Sequence, residues 1–231
     1  MVNACASPSG DALYGLSSVT GTFFRFDVKT AKVTLHGKVS KDSAFSRFLV
    51  ADSQGYVFGT HSLGTLFRFD PNSGKLQDLE VKIPTIAGRE FYNRLDSAVL
   101  NEYDGCIYGA GTADGVLFRF DPSTFEFRAL GKATAEARVR AITCAPDGRV
   151  FGISGEVGGM GHLFCYDPHK HELRDLGLMI AASEIWRRGF EFDAACTGQN
   201  GELYFGENER EGHLFLYFPK PAGVVRSMIP Y

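Results

Sequence analysis

Two stretches decide the fold: Ala145-Pro146-Asp147-Gly148-Arg149-Val150-Phe151-Gly152-Ile153-Ser154 and, a short way downstream, Leu163-Phe164-Cys165-Tyr166-Asp167-Pro168. Working outward, Val139 to Ala145 alternates as a first strand and Pro146-Asp147-Gly148 turns the chain into a second, Arg149 to Ser154. A glycine-rich loop leads to a third strand, His162 to Tyr166, and Asp167-Pro168-His169-Lys170 turns into a fourth, Glu172 to Leu176. Four short period-two segments separated by turn chemistry predict a four-stranded antiparallel meander. The Asp-Pro pair suits a tight turn, because proline pre-sets its own φ while the aspartate side chain bonds backbone N–H groups ahead of it. Such an aspartate needs no catalytic explanation.

The same unit recurs along the chain, and a period of this size decides architecture before local propensity does. Ala12-Leu13-Tyr14-Gly15, Tyr56-Val57-Phe58-Gly59, Cys106-Ile107-Tyr108-Gly109, Arg149-Val150-Phe151-Gly152 and Glu202-Leu203-Tyr204-Phe205 carry aromatic residues 44, 50, 43 and 53 positions apart. Phe24, Phe67, Phe118, Phe164 and Phe215, in the element that follows each, keep step at 43, 51, 46 and 51. Meanders repeated at this spacing are blades of an all-β β-propeller. Neither a Gly-His…Trp-Asp nor a kelch signature is present, and the only tryptophan is Trp186. The pattern Asp-Gly-x-Ile/Val-Tyr/Phe-Gly…Gly-x-Leu-Phe-x-Phe/Tyr-Asp-Pro resembles the divergent propeller repeats of polysaccharide lyases and streptogramin-lyase-like proteins. The resemblance covers nearly the whole chain but specifies blades, and it carries no catalytic residue over.

Residues 1–231 are therefore expected to form a single propeller domain of five four-stranded antiparallel blades, approximately 1–40, 41–82, 83–132, 133–178 and 179–231. Strands run in sequence order from A to D in each, with 220–231 left to supply the last strand. A closed five-bladed ring is the expectation. The alternative is a fragment or oligomer-completed part of a larger ring, since the resembling lyases have seven blades, and an open edge would expose backbone groups and apolar surface.

Composition narrows the partners. With 24 Lys+Arg against 27 Asp+Glu, the formal net charge of −3 gives no global reason to expect nucleic acid or a membrane surface. No apolar run approaches membrane-spanning length, and the first residues lack the features of a signal peptide, so a cytoplasmic location is expected. The five cysteines, Cys5, Cys106, Cys144, Cys165 and Cys196, have no C-x-x-C spacing and lie in alternating apolar segments. They are expected to be inert core thiols, without disulfide or metal roles, and no cofactor is implied.

In a propeller the B-to-C and D-to-A connections share one face around the channel mouth, and the short A-to-B and C-to-D turns share the other. Length variation falls on the first face, in Lys82 to Leu95 and Leu178 to Phe192, and long loops on a rigid scaffold are where binding usually lives. Those loops hold Tyr92, Arg94, Trp186 and Arg188, suited to stacking a sugar and clamping an anion. Registering the strand-A starts puts Asn3, Arg47, Asp96, Arg140 and Asp193 at roughly matching positions near the channel mouth, where the two arginines and two carboxylates either build a site or pair as bridges that rigidify the ring. His61, in the B-to-C loop of the second blade, is a further candidate. His162 and His213 share one repeat position but give way to Thr22, Thr65 and Val116 elsewhere, which favours a strand-edge role. Gly109 to Gly115 and Gly155 to Gly161 lie between strands with no helix after them, so they are not phosphate loops.

The expected function is a non-catalytic propeller that recognises a carbohydrate or small anionic ligand at the channel mouth. One alternative is a polysaccharide lyase, in which an arginine neutralises a uronate carboxylate while a histidine or tyrosine abstracts the α-proton. Another is a protein-interaction scaffold anchored by exposed aromatic residues.

Overall fold

The computed structural model describes residues 3–17, 19–40, 48–155, 159–181, 188–208 and 212–220. Blade 1 comprises β1 (Asn3–Ala6), β2 (Ala12–Leu16), β3 (Thr22–Asp27) and β4 (Lys32–Lys38). Blade 2 comprises β5 (Val50–Ala51), β6 (Val57–Thr60), β7 (Thr65–Asp70) and β8 (Lys75–Lys82), and blade 3 β9 (Leu95–Asn101), β10 (Cys106–Gly111), β11 (Leu117–Asp121) and β12 (Glu126–Gly131). Blade 4 comprises β13 (Val139–Cys144), β14 (Val150–Ser154), β15 (His162–Asp167) and β16 (Glu172–Leu178). Blade 5 shows β17 (Phe192–Thr197), β18 (Leu203–Glu207) and β19 (Leu214–Tyr217), while nearly all of the stretch expected to supply its last strand lies outside the described residues. Every sheet is a sequential antiparallel meander, and the protein is a five-bladed β-propeller. Among the described residues no helix is long and apolar enough to cross a membrane.

The turns behave as their composition dictates. Asp70 accepts the Asn72 N–H at 2.8 Å and the Ser73 hydroxyl at 2.8 Å, and Asp121 accepts the N–H and hydroxyl of Ser123 at 2.9 and 2.6 Å. These bonds, the serine hydroxyls first, hold both carboxyls below the usual range. Each described outer strand also carries a bulge opposite strand C, where Gly37, Gly131 and Gly177 adopt φ near +100° in blades 1, 3 and 4. In blade 2 the corresponding irregularity puts Glu80 at φ 58°. A side chain there is strained in a way that glycine is not. Glu80→Gly is expected to raise stability by up to about 1 kcal/mol in urea denaturation, and a loss would show that the bulge tolerates its side chain.

The blades stack through their faces. Phe118 of β11 lies across Gly109 of β10: a Cβ on Gly109 would come within 2.8 Å of the ring and 2.6 Å of the Ser97 carbonyl. Gly15, Gly59 and Gly152 lie under Phe24, Phe67 and Phe164 in the same way, so this glycine is fixed by close approach of a ring. Blade 5 departs from the rule, with Phe205 opposite Phe215.

Four apolar clusters glue consecutive blades. Tyr14, Leu16 and Phe23 of blade 1 meet Val57, Phe67 and Phe69 of blade 2. Phe58 and Leu66 of blade 2 meet Ile107, Phe118 and Phe120 of blade 3. Tyr108 and Leu117 of blade 3 meet Val150, Phe164 and Tyr166 of blade 4, and Phe151, Ile153 and Leu163 of blade 4 meet Leu203, Phe205 and Phe215 of blade 5. A closed ring would add a fifth cluster between blades 5 and 1. Among the described residues none joins them.

Burial pushes the Cys5 thiol up to about 12 and the Cys106 and Cys165 thiols up to about 11, and it raises Cys144 as well, so these four fit the expectation of inert thiols. Cys196 corrects that expectation: it is exposed, on the face of blade 5 opposite the one that packs on blade 4.

Candidate functional site

The channel mouth is built from strand-A starts and the loops that lead into them. Asp96, Arg140 and Asp193 are each the extra residue of a β-bulge near the beginning of β9, β13 and β17. They occupy one structural position in three successive blades, as the sequence register predicts. A bulge re-aims the side chain it carries, which accounts for polar groups in strands otherwise committed to packing.

These side chains meet across blade boundaries. Asp96, with its side chain only 2% exposed, is bound by Arg138 through Nε at 2.6 Å and Nη2 at 2.5 Å. Arg140 donates from Nη2 to Asp193 Oδ2 at 2.8 Å and lies 2.6 Å from Oδ1 through Nε, with Glu191 at 3.7 Å. The Asn208 amide donates to Asp193 Oδ2 at 2.5 Å. Close by in blade 5, the buried Glu207 carboxylate accepts the Phe190 N–H at 2.9 Å and lies 2.7 Å from His213 Nδ1. Arg138 and Arg140 are thus already matched by the Asp96, Asp193 and Glu191 carboxylates, so this cluster is not a preformed anion hole.

A second layer fixes the loops. Asp114, wholly buried in blade 3, accepts the Ile86 N–H and Thr85 hydroxyl at 2.6 Å each and the Val116 N–H at 3.0 Å. Burial alone would raise this carboxyl, but the Ile86, Thr85 and Val116 hydrogen bonds outweigh it and hold it below the usual value. A lowered folded-state pKa means stability that is present above the unfolded value of about 3.9 and lost as pH falls through the folded value. Asp114→Ala is expected to cost about 2–3 kcal/mol at pH 7 and to flatten the acid limb of the stability profile; urea midpoints measured from pH 7 to 3 check both. Thr112 adds a clamp, accepting the Arg94 N–H at 3.0 Å and donating to the Tyr92 carbonyl at 2.5 Å.

That clamp presents Phe91 and Tyr92, in a one-turn 3-10 helix at Glu90–Tyr92, to solvent. The rings are 69% and 67% exposed and pack edge to face with centroids 5.2 Å apart. Arg94 has a buried Nε without a hydrogen-bond partner. The Arg188 side chain reaches Met160 Sδ at 3.8 Å, and its backbone bridges to Ile180. Arg47 and Trp186 lie outside the described residues. His61 is held 2.8 Å from Asp78 on the outermost strand of its blade, and His162 likewise from Asp175 at 3.2 Å.

Sequence reasoning missed Arg138, Glu191, Glu207 and Asn208. A usable signal existed: Asp96 and Arg138 are 42 residues apart and Arg140 and Asp193 are 53, one blade repeat in each case. Opposite charges one repeat apart at strand-A starts read as bridges from each blade to the next. The short-turn face, expected to be structural, also carries concavities. One of about 540 Å³ between blades 1 and 2 is lined by Ser7, Asp11, Tyr14, Arg25, His36 and Gln54. Its polar groups largely serve the turns, as Asp11 accepts the hydroxyls of Ser7 and Ser9 and Arg25 pairs with Asp27 at 3.3 Å. Among the described residues no group of three His, Cys, Asp or Glu side chains could hold a metal ion.

No family profile and no curated protein sequence matches the chain. Solved structures resemble it in fold. A gluconolactonase from Xanthomonas campestris superposes with a TM-score of 0.62 at 14% identity, over 95% of this chain and 75% of its own. The extracellular domain of a hybrid two-component system from B. thetaiotaomicron gives 0.66 at 14%, over 93% of this chain and 27% of its own. Regucalcin, a calcium-binding protein from Agrobacterium tumefaciens, gives 0.58 at 14%, over 89% and 66%. At such identities the likeness establishes the propeller architecture and no activity.

Proposed function

We propose that the chain is a ligand-binding propeller whose loop-rich face recognises a neutral carbohydrate. The observation that carries this is the chemistry of the loop-rich face: oriented carboxylate, guanidinium and amide groups around Asp193, with carboxylates in excess, and the exposed Phe91 and Tyr92 rings on the loop that leads into blade 3. Carboxylates and an amide held by fixed partners accept and donate to sugar hydroxyls, and exposed rings stack on the apolar face of a pyranose. At the Asp193 cluster an anionic ligand is disfavoured, since Arg138 and Arg140 are already engaged by carboxylates, and a lyase built on Arg140 would require it to release Asp193 and Glu191. Screening the intact protein and a Phe91→Ala/Tyr92→Ala variant on a glycan array tests the reading. Neutral glycans retained by the first and lost by the second support it; no glycan signal from the intact protein refutes it.

A second reading has one specific support. Glu207, buried and fixed by the Phe190 N–H, holds the imidazole of a one-third-exposed His213, an arrangement able to take a proton from water. The gluconolactonase neighbour makes a sugar lactone the substrate to try, with water adding across the acyl C–O bond to give the hydroxy acid. Proton release from aldonolactones, abolished in His213→Gln, would support this reading, and hydrolysis at the buffer rate would remove it.

A further inference from the structure

The repeat makes every blade comparable with every other, and burial at equivalent positions is uniform except at the two ends. The face of each blade that looks back toward its predecessor carries one position on strand B that is closed to solvent at Val57 (0%), Ile107 (2%), Val150 (0%) and Leu203 (0%). Its equivalent in blade 1, Leu13, is 42% exposed, with Val33 (54%) and Leu35 (69%) on the same face. The opposite face, which looks toward the next blade, carries a strand-C position closed at Phe23 (0%), Leu66 (3%), Leu117 (1%) and Leu163 (5%). Its equivalent in blade 5, Leu214, is 69% exposed, and Leu216 and Cys196 lie open on the same face.

The two open faces are the two halves of one interface. Blade 5 ends on the half that four times within this chain receives a following blade, and blade 1 begins on the half that four times is received. We propose that a second copy of this chain fills them, the back of its blade 1 docking on the front of blade 5 as blade n+1 docks on blade n. Such a contact is heterologous, joining different patches on the two partners, so it extends head to tail. Leu214 of one copy then sits where Leu163 sits against blade 5, and Leu13 of the other takes the buried place of Leu203. Apolar faces of this extent are otherwise an aggregation hazard.

Sedimentation velocity across a concentration series, combined with alkylation of Cys196, tests the proposal. The expected result is association that grows with concentration and protects Cys196, and that weakens by about a hundredfold or more in Leu214→Asp or Leu13→Asp. Both substitutions fall on exposed positions, and unchanged thermal melts confirm that the variants fold. The decisive arm mixes the two variants. Each has lost one half of the interface, so neither associates alone, yet the intact blade 5 of Leu13→Asp meets the intact blade 1 of Leu214→Asp and the mixture stops at a 1:1 dimer. A monomer at all concentrations with Cys196 freely alkylated overturns the proposal. So does a monomer with Cys196 protected, which would place the cover within the same chain, and so does a mixture that fails to dimerise.

Discussion

Phe118→Ala is expected to destabilise the protein by about 3–5 kcal/mol, the range for removing a large buried aromatic side chain that leaves a cavity. Phe118 is 1% exposed and sits between blades 2 and 3, against Phe127 at a centroid distance of 5.2 Å and over Gly109. Its ring serves two interfaces at once, the strand pair beneath it and the blade beside it. Gly109→Ala attacks the same contact from below. The Ser97 carbonyl, a backbone atom, blocks the new methyl, so a cost of about 1–3 kcal/mol is expected even though only one carbon is added. Urea denaturation of both variants checks the pair. Since the two residues touch, the double variant should cost less than the sum, and simple additivity would show that the ring and the glycine are not mutually fitted.

Arg138→Met is expected to cost about 3–5 kcal/mol, because it leaves the Asp96 carboxylate buried at the boundary of blades 3 and 4 without its counter-charge. The converse change, Asp96→Asn, leaves an arginine that is 21% exposed and able to reach water, so its cost should be smaller. A double-mutant cycle on urea midpoints measures the coupling. Equal and independent losses would mean that the bridge contributes nothing to the blade junction. Asp193→Asn should behave differently, being 27% exposed and supported by Asn208 as well as Arg140: its stability loss is expected to be slight and its effect on ligand binding large.

The blades were legible because each is a local object. Alternation, the Asp-Pro turn and the glycine before the ring all act within about 45 residues, and five copies of Leu/Phe-Phe-x-Phe/Tyr reinforce one another. Equivalent placement of Asp96, Arg140 and Asp193 was legible too, since strand-A register follows from the turn behind it. Which charges pair was not. Asp96 takes Arg138, two residues before the registered Arg140, because the bridge runs between neighbouring blades and depends on how far one is rotated against the next. No single repeat encodes that rotation. How the first and last blades relate is not written in a repeat either: Leu13 and Leu214 have the composition of buried interface residues, and only the curvature summed over five blades decides whether they meet. The exposure of Cys196 was hidden for that reason, since its strand alternates like the others.

On the proposed reading, the loop-rich face takes a neutral sugar. Titration calorimetry of a neutral oligosaccharide and of its uronate or sulfated counterpart, into the intact protein and into Asp193→Asn, tests it most directly. The expected result is heat from the neutral ligand alone, little changed by added salt because no net charge is neutralised, and at least tenfold weaker binding in Asp193→Asn. Preferential binding of the charged counterpart, weakening as salt is raised, would contradict it.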